Sequence, residues 1–251
     1  GAVQMDALGD LNILAGHSET TTESTTKTTG WVRVPSTGTV GLGGVGHSTL
    51  KTETSTATSK STGAVQSAIS SGAGMQLSAG KSLTISASDI VAGGDLNVRA
   101  EDKVSIVSQK DRVEHEKDIQ KGVSFWGPTE TGTETSVEES LSQTRLKSGG
   151  VMRIDGQAGV DMSSVALDMG EGGTVHADKG SVTNTALYLQ NSTVYKGRKN
   201  GREITDISMS TTGQASHITG GELGVDIHAK DDITLEGTKI KTSGNLSLST
   251  D

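Results

Sequence analysis

The chain has 251 residues, a formal net charge of −8, 34 Gly and no Cys, and its aromatic side chains are one Phe, two Trp and two Tyr. That balance excludes disulfide staples, thiolate chemistry and an overall basic footprint for nucleic acid or anionic lipid. So few aromatics cannot fill one thick core, and burial falls to Val, Ile, Leu, Met and Ala in a thin core repeated along an axis.

Apolar residues two apart mark one buried face of a strand. Val3/Met5 opens the chain, and Leu11/Ile13 follows eight residues later. A polar excursion then runs from His17 to Thr62. Its Ser/Thr-rich flanks enclose a Gly-rich middle, Gly30–Gly46, which holds Trp31. The apolar pairs resume at Met75/Leu77 and Leu83/Ile85, then at Leu96/Val98 and Val104/Ile106. A second excursion, Gln109–Ser148, has charged flanks around Gly122–Pro128, with Phe125 and Trp126 in the middle. Met152/Ile154 and Val160/Met162 come next. A third excursion, Leu187–Asp206, carries Asn200-Gly201 between strand-like runs, the strongest short hairpin signal because both residues tolerate φ > 0. Val225/Ile227 and Ile233/Leu235 close the series, with Leu246 beyond.

The spacing inside these units is fixed. Five times, an apolar pair is followed by another eight residues on, and the five-residue connectors place Ala7, Ala79, Ala100, Gly156 or Ala229 second. A small residue there suits a tight corner whose side chain points inward. Leu83 to Val104 and Val225 to Leu246 are both 21 residues, and repetition at this period signals a solenoid. The sequence therefore predicts an all-β right-handed parallel β-helix of about 21 residues per coil, one segment over 1–251. The excursions 17–62, 109–148 and 187–206 read as antiparallel β-hairpins protruding from it, with low-complexity loop as the alternative for the first two. Without them 145 residues remain, which is about seven coils and roughly 34 Å of rod. A β-sandwich of short strands is the competing fold, but its connections vary in length.

Motifs of chemistry are sparse. Gly41–Gly46 matches G-x-G-x-x-G literally, yet no helix pattern follows and no acidic residue stands between Glu53 and Asp89. The six histidines, His17, His47, His115, His176, His217 and His228, form no compact ligand spacing, so no metal and no cofactor is expected. Asp95, Asp102 and Asp231 fall at corners, where solvated turn acids are the plain reading and a carbohydrate-cleaving cluster on an exposed face is the sharp one. Lys196–Arg202 is the one local basic run and reads as a solvated turn. No secretory leader and no apolar run of 18 residues is present, and the chain starts mid-pattern, so it reads as a piece of a longer protein.

Gly9-Asp10-Leu11-Asn12-Ile13 and Gly93-Gly94-Asp95-Leu96-Asn97-Val98 resemble the haemagglutinin repeats of filamentous-haemagglutinin-like exoproteins. So do the Ser/Thr-rich first excursion and Leu189–Gly197. The combination is most similar to the second haemagglutinin repeat region of contact-dependent growth-inhibition (CdiA-type) exoproteins. That resemblance implies export by two-partner secretion through a dedicated outer-membrane transporter, and display as a β-helical filament on a Gram-negative surface. It further implies a non-enzymatic segment that helps deliver a C-terminal toxin by engaging the outer membrane or a surface protein of a target cell. A passive stalk or host-cell adhesin is the alternative. Nucleic acid is not an expected partner. The residues expected to touch a membrane or partner are Trp31, Phe125 and Trp126, since exposed aromatics suit a boundary between water and lipid; packing back onto the rod is the other fate open to them.

Overall fold

The computed structural model describes residues 1–33, 48–123 and 127–251. Three parallel sheets of seven, six and six strands wind around one core, and a six-stranded antiparallel sheet leaves it. The molecule is a parallel β-helix, as the 21-residue period and the polar excursions imply.

One uninterrupted coil shows the plan. Met75–Ala79 lies in the first sheet, Leu83–Ser86 in the second and Ser88–Ala92 in the third. Met75 is in register with Leu96, Met152 with Gly173 and Val225 with Leu246, each 21 residues on. Six coils carry a strand in every sheet, and Leu246–Thr250 begins a seventh in the first sheet. Six steps of about 4.8 Å give that sheet roughly 29 Å along the axis.

Because the strands stack in register, each inward position becomes a ladder of like residues. Met5, Leu77, Val98, Ile154, Val175, Ile227 and Leu248 form one in the first sheet, and Leu11, Leu83, Val104, Val160, Val182 and Ile233 another in the second. Their middle members are fully buried. The small corner residues Ala79, Ala100, Gly156, Ala177 and Ala229 are also in register and face inward, so the repeated Ala of the connectors is a packing requirement. The third sheet contributes Ile69, Ile90, Leu146, Leu167, Ile218 and Ile240.

Buried polar groups gather where the second sheet turns into the third, and all find partners. Asn184 stands in the ladder that elsewhere holds Ile85, Ile106 and Met162. Its amide donates to Glu236 O at 2.9 Å and Thr238 Oγ1 at 2.7 Å, and its carbonyl accepts from Ser216 Oγ at 2.6 Å. Among the described residues no buried side-chain nitrogen or oxygen lacks a partner. Leaving one unpaired would cost about 1–3 kcal/mol.

The three excursions are hairpins, and register shows that they enter at one place in the coil. The strand pairs are Gly16–Arg33 with Ser48–Val65, Gln109–Val123 with Gly127–Ser142, and Leu187–Lys199 with Arg202–Gln214. In the uninterrupted second coil, Ser86-Ala87-Ser88 joins the second sheet to the third. Pairing makes Ala15 and Ser108 the counterparts of Ala87, and Ser67 and Thr144 those of Ser88. Ala186 and Ser216 likewise correspond to Ser164 and Val165 of the fourth coil. Uninterrupted corners carry one residue in the left-handed region: Ala87 (φ 43°), Ser164 (φ 51°) and Gly237 (φ 57°). That conformation costs a non-glycine residue about 1–2 kcal/mol. At Ala15, Ser108 and Ala186 the chain leaves the rod and avoids it.

The first hairpin runs slightly wider than 17–62, from Gly16 to Val65, and two boundaries differ more from the sequence reading. The second excursion returns at Ser142, and Arg145–Ser148 is a rod strand of the third sheet. The third runs on to Gln214, because Ile207 and Met209, spaced like a buried pair, lie on the hairpin with 60% and 74% exposure. The Asn200-Gly201 turn is present, with φ of 50° and 78°. Replacing Gly201 by Ala should cost the hairpin about 1 kcal/mol, seen as faster amide exchange near the turn with unchanged rod protection.

Candidate functional site

Hairpins leave from the first, third and fifth coils, and each is two strands wide. One hairpin strand therefore falls to each coil, at the same spacing of about 4.8 Å that separates the coils. This match lets the three hairpins zip together into one antiparallel sheet, hereafter the fin. Ser48–Val65 pairs with Gln109–Val123, and Gly127–Ser142 with Leu187–Lys199.

Opposite charges meet across the zip in its observed register. Across one row of one face stand Glu53, Lys121, Glu130, Lys199 and Arg202, in neighbouring strands. Lys121 Nζ lies 3.8 Å from both Glu53 Oε1 and Glu130 Oε2, so hairpin 2 binds hairpin 1 and closes on itself through one ammonium. Two rows nearer the rod, Lys117 stands opposite Glu134. A slip of one residue would put these charges on opposite faces. Between these two rows, Tyr195 lies over Gly132 and Gly197, and a Cβ at either glycine would come within 2.8 Å of its hydroxyl. Loss of water around the ring, then the nearby Glu130 carboxylate, push the phenol's pKa up.

Nearer the rod the hairpins part, and side chains take over from the backbone ladder. Asp111 accepts from Ala64 N at 2.7 Å and from Ser142 Oγ at 2.6 Å, holding hairpin 1 to hairpin 2. Between hairpins 2 and 3, Glu139 Oε2 accepts from Gln190 N at 2.8 Å, and Asn191 Oδ1 accepts from Glu139 N at 2.8 Å. The Gln190 bond, with Lys110 at 3.1 Å, holds the Glu139 carboxyl below the usual glutamate range. Such a group stabilises fully above the pKa it has in the unfolded chain, and that contribution is lost as pH falls through the lower folded value. Acidification should therefore loosen the hairpin 2–hairpin 3 junction, read as faster exchange at Gln190. A Glu139→Gln variant should be looser at neutral pH and lose that dependence.

The expected contact residues have different fates. Trp31 lies near the outer end of hairpin 1, opposite Leu50, and is 73% exposed; it does not pack onto the rod. Phe125, Trp126 and the Gly41–Gly46 motif lie outside the described residues. A groove of about 650 Å³ crosses the fin's outer half over Gly132 and Gly197, with Lys196, Arg198, Asp118 and Glu203 among its walls.

The corner acids are not brought together. Asp95 sits where the third sheet turns into the first and accepts from Val151 N at 2.9 Å, whereas Asp102 and Asp231 occupy the next corner, three coils apart. The fold does unite two histidines that spacing could not: His176 and His228, 52 residues apart, are in register with ring centroids 4.8 Å apart. Asp178 and Asp251 flank them at 3.4 and 3.5 Å. Among the described residues no three or more His or carboxylate side chains are arranged to hold a metal ion.

Comparison with curated proteins and with solved structures finds no significant match. The family model for the hemagglutinin repeat matches residues 1–124 and 50–202, which together span most of the rod and hairpins 1 and 2. Hemagglutinin repeats build structural, adhesin-like segments, typically of secreted, surface-exposed proteins, and the chain belongs to that family.

Proposed function

We propose that this chain is the interaction segment of a surface-displayed exoprotein, exported by two-partner secretion, and that it helps carry a C-terminal toxin into a target bacterium of the contact-dependent growth-inhibition kind. The rod supplies reach and rigidity, and the fin supplies the contacting surface against the target outer membrane. One observation carries the reading: three hairpins are held side by side in a single sheet that projects from one corner, with Trp31 exposed near its outer end. A passive stalk has no need of such a sheet.

The test is an in-frame deletion of this segment from the exoprotein, with display, target-cell binding and toxin delivery scored separately. Display and binding that survive while delivery is lost support the proposal. Delivery that falls only as far as binding does makes the segment a stalk or adhesin. At the molecular level, Trp31 emission in a Trp126→Phe variant should shift on adding outer-membrane vesicles; unchanged emission contradicts membrane contact at that residue.

A further inference from the structure

The fold sorts charge along the fin. A natural dividing line is the uncharged row Thr26, Ser55, Ile119, Gly132, Gly197 and Ile204. Outside it, among residues with described side chains, Lys27, Lys51, Lys121, Arg198, Lys199 and Arg202 face only Glu53, Glu130 and Glu203, a net of +3. Two of those three carboxylates share Lys121 as their ion-pair partner. Inside it, ten carboxylates oppose five Lys or Arg, a net of −5. A chain of net −8 thus carries a cationic outer edge. The run Lys196–Arg202 is not an isolated turn, since pairing aligns its end with Lys121 and sets hairpin 1's lysines at the same end of the sheet.

Distance decides whether the acidic remainder matters. The 18-residue strand Gly16–Arg33 reaches roughly 60 Å from the rod and the 13-residue strand Leu187–Lys199 places Arg198, Lys199 and Arg202 roughly 40 Å from it, and the Debye length at physiological salt is about 8 Å. A surface meeting that edge feels the lysines and arginines, while the rod's carboxylates are screened. Trp31 is exposed toward the same end, and a tryptophan beside cations suits an anionic membrane interface.

We infer that the outer edge of the fin docks on an anionic, phosphate-bearing lipid surface, with Arg198, Lys199 and Arg202 making the main electrostatic contact. This rests on the proposed membrane role of the fin and names the chemistry of its partner. A pose that laid the acidic inner half or the rod within a Debye length of the same surface would be repelled, so the molecule stands edge-on.

The test is sedimentation of the whole chain with vesicles of phosphatidylcholine alone or with phosphatidylglycerol, at low salt and in 0.5 M salt. Expected is binding to the anionic vesicles only, abolished by salt. The triple variant Arg198→Gln/Lys199→Gln/Arg202→Gln should bind about a hundredfold more weakly, at roughly fivefold per cation, while keeping the strand signal and the solution size of the parent chain. Equal binding to both vesicles, insensitive to salt, overturns the electrostatic inference and leaves the membrane role standing. Binding to neither overturns both. Binding to single-stranded RNA or an acidic polypeptide as tightly as to the anionic vesicles overturns the commitment to lipid.

Discussion

Excising residues 109–143 and joining Ser108 to Thr144 should leave the rod folded. The register places Ser108 and Thr144 as counterparts of the neighbours Ala87 and Ser88, and Thr144 N already donates to Ser108 Oγ at 2.9 Å. The excision shortens the third coil to the 21 residues of the coils without a hairpin. Ser108 must then take up the left-handed conformation that Ala87 holds, at about 1–2 kcal/mol. The fin loses its middle. Hairpins 1 and 3, four coils and roughly 19 Å apart, cannot reach each other. Amide exchange should show protection kept in Leu83–Ser86 and lost at the alternate amides of Lys51–Thr62 and Ser192–Lys199 that face hairpin 2, while the amides between them stay paired within hairpins 1 and 3. Loss of protection throughout the rod would mean that the hairpin is part of the coil's own fold and not an insertion into it.

Leu83→Ala should have the second large effect, about 3 to 5 kcal/mol of stability. Leu83 is fully buried between Leu11 and Val104 in its ladder. The neighbours cannot collapse into the gap, because each is tied by backbone hydrogen bonds to the strands on either side. In a solenoid the cost falls on the interface with adjacent coils, so the first coil should detach at lower urea than the rest. Leu8→Ala, at a fully exposed corner residue, serves as the control and should change little. A loss under about 1 kcal/mol for Leu83→Ala would contradict the ladder.

The same ladders explain how much of the fold was legible. Two sheets present two large apolar residues per strand, and those pairs stand out in the sequence at their eight-residue step. The third, apart from Leu167 with Met169, presents one large residue and one small one, as in Leu146 with Ser148 or Ile218 with Gly220. Such strands carry no alternating apolar pair, and for that reason Arg145–Ser148 read as hairpin. The fifth coil was hidden as well. Gly173 stands where its neighbour has Met152, and Asn184 where it has Met162, so neither of its inner strands shows an apolar pair. Ile207 and Met209 show the converse, an alternating apolar pair on an exposed hairpin strand.

The fin was only half legible. Each hairpin could be suspected from its polar flanks, and Asn200-Gly201 marked one turn directly. Their union could not, because it depends on the hairpins leaving alternate coils at one corner, which is a property of the winding. The complementary rows, Glu53 with Lys121 and Glu130 with Lys199, were written in the sequence, but they become informative only once the strands are aligned. The cationic outer edge follows in the same way: hairpin 1 contributes Lys27 and Lys51, hairpin 3 contributes Arg198, Lys199 and Arg202, and no single stretch of sequence displays the set.

The central claim, that hairpins from alternate coils zip in one defined register, is open to a direct measurement. The chain has no cysteine, so pairs can be introduced on a clean background. Ser59 and His115 belong to different hairpins and stand opposite each other in the same row. Ser59→Cys with His115→Cys should oxidise rapidly to an intramolecular disulfide, since opposed residues lie within the span that a disulfide bridges. Thr58→Cys with His115→Cys, one step out of register and on opposite faces, should stay reduced under the same conditions. If the two pairs oxidise equally, or if both yield only linked dimers, the hairpins are not joined in this sheet and the account of the fin fails.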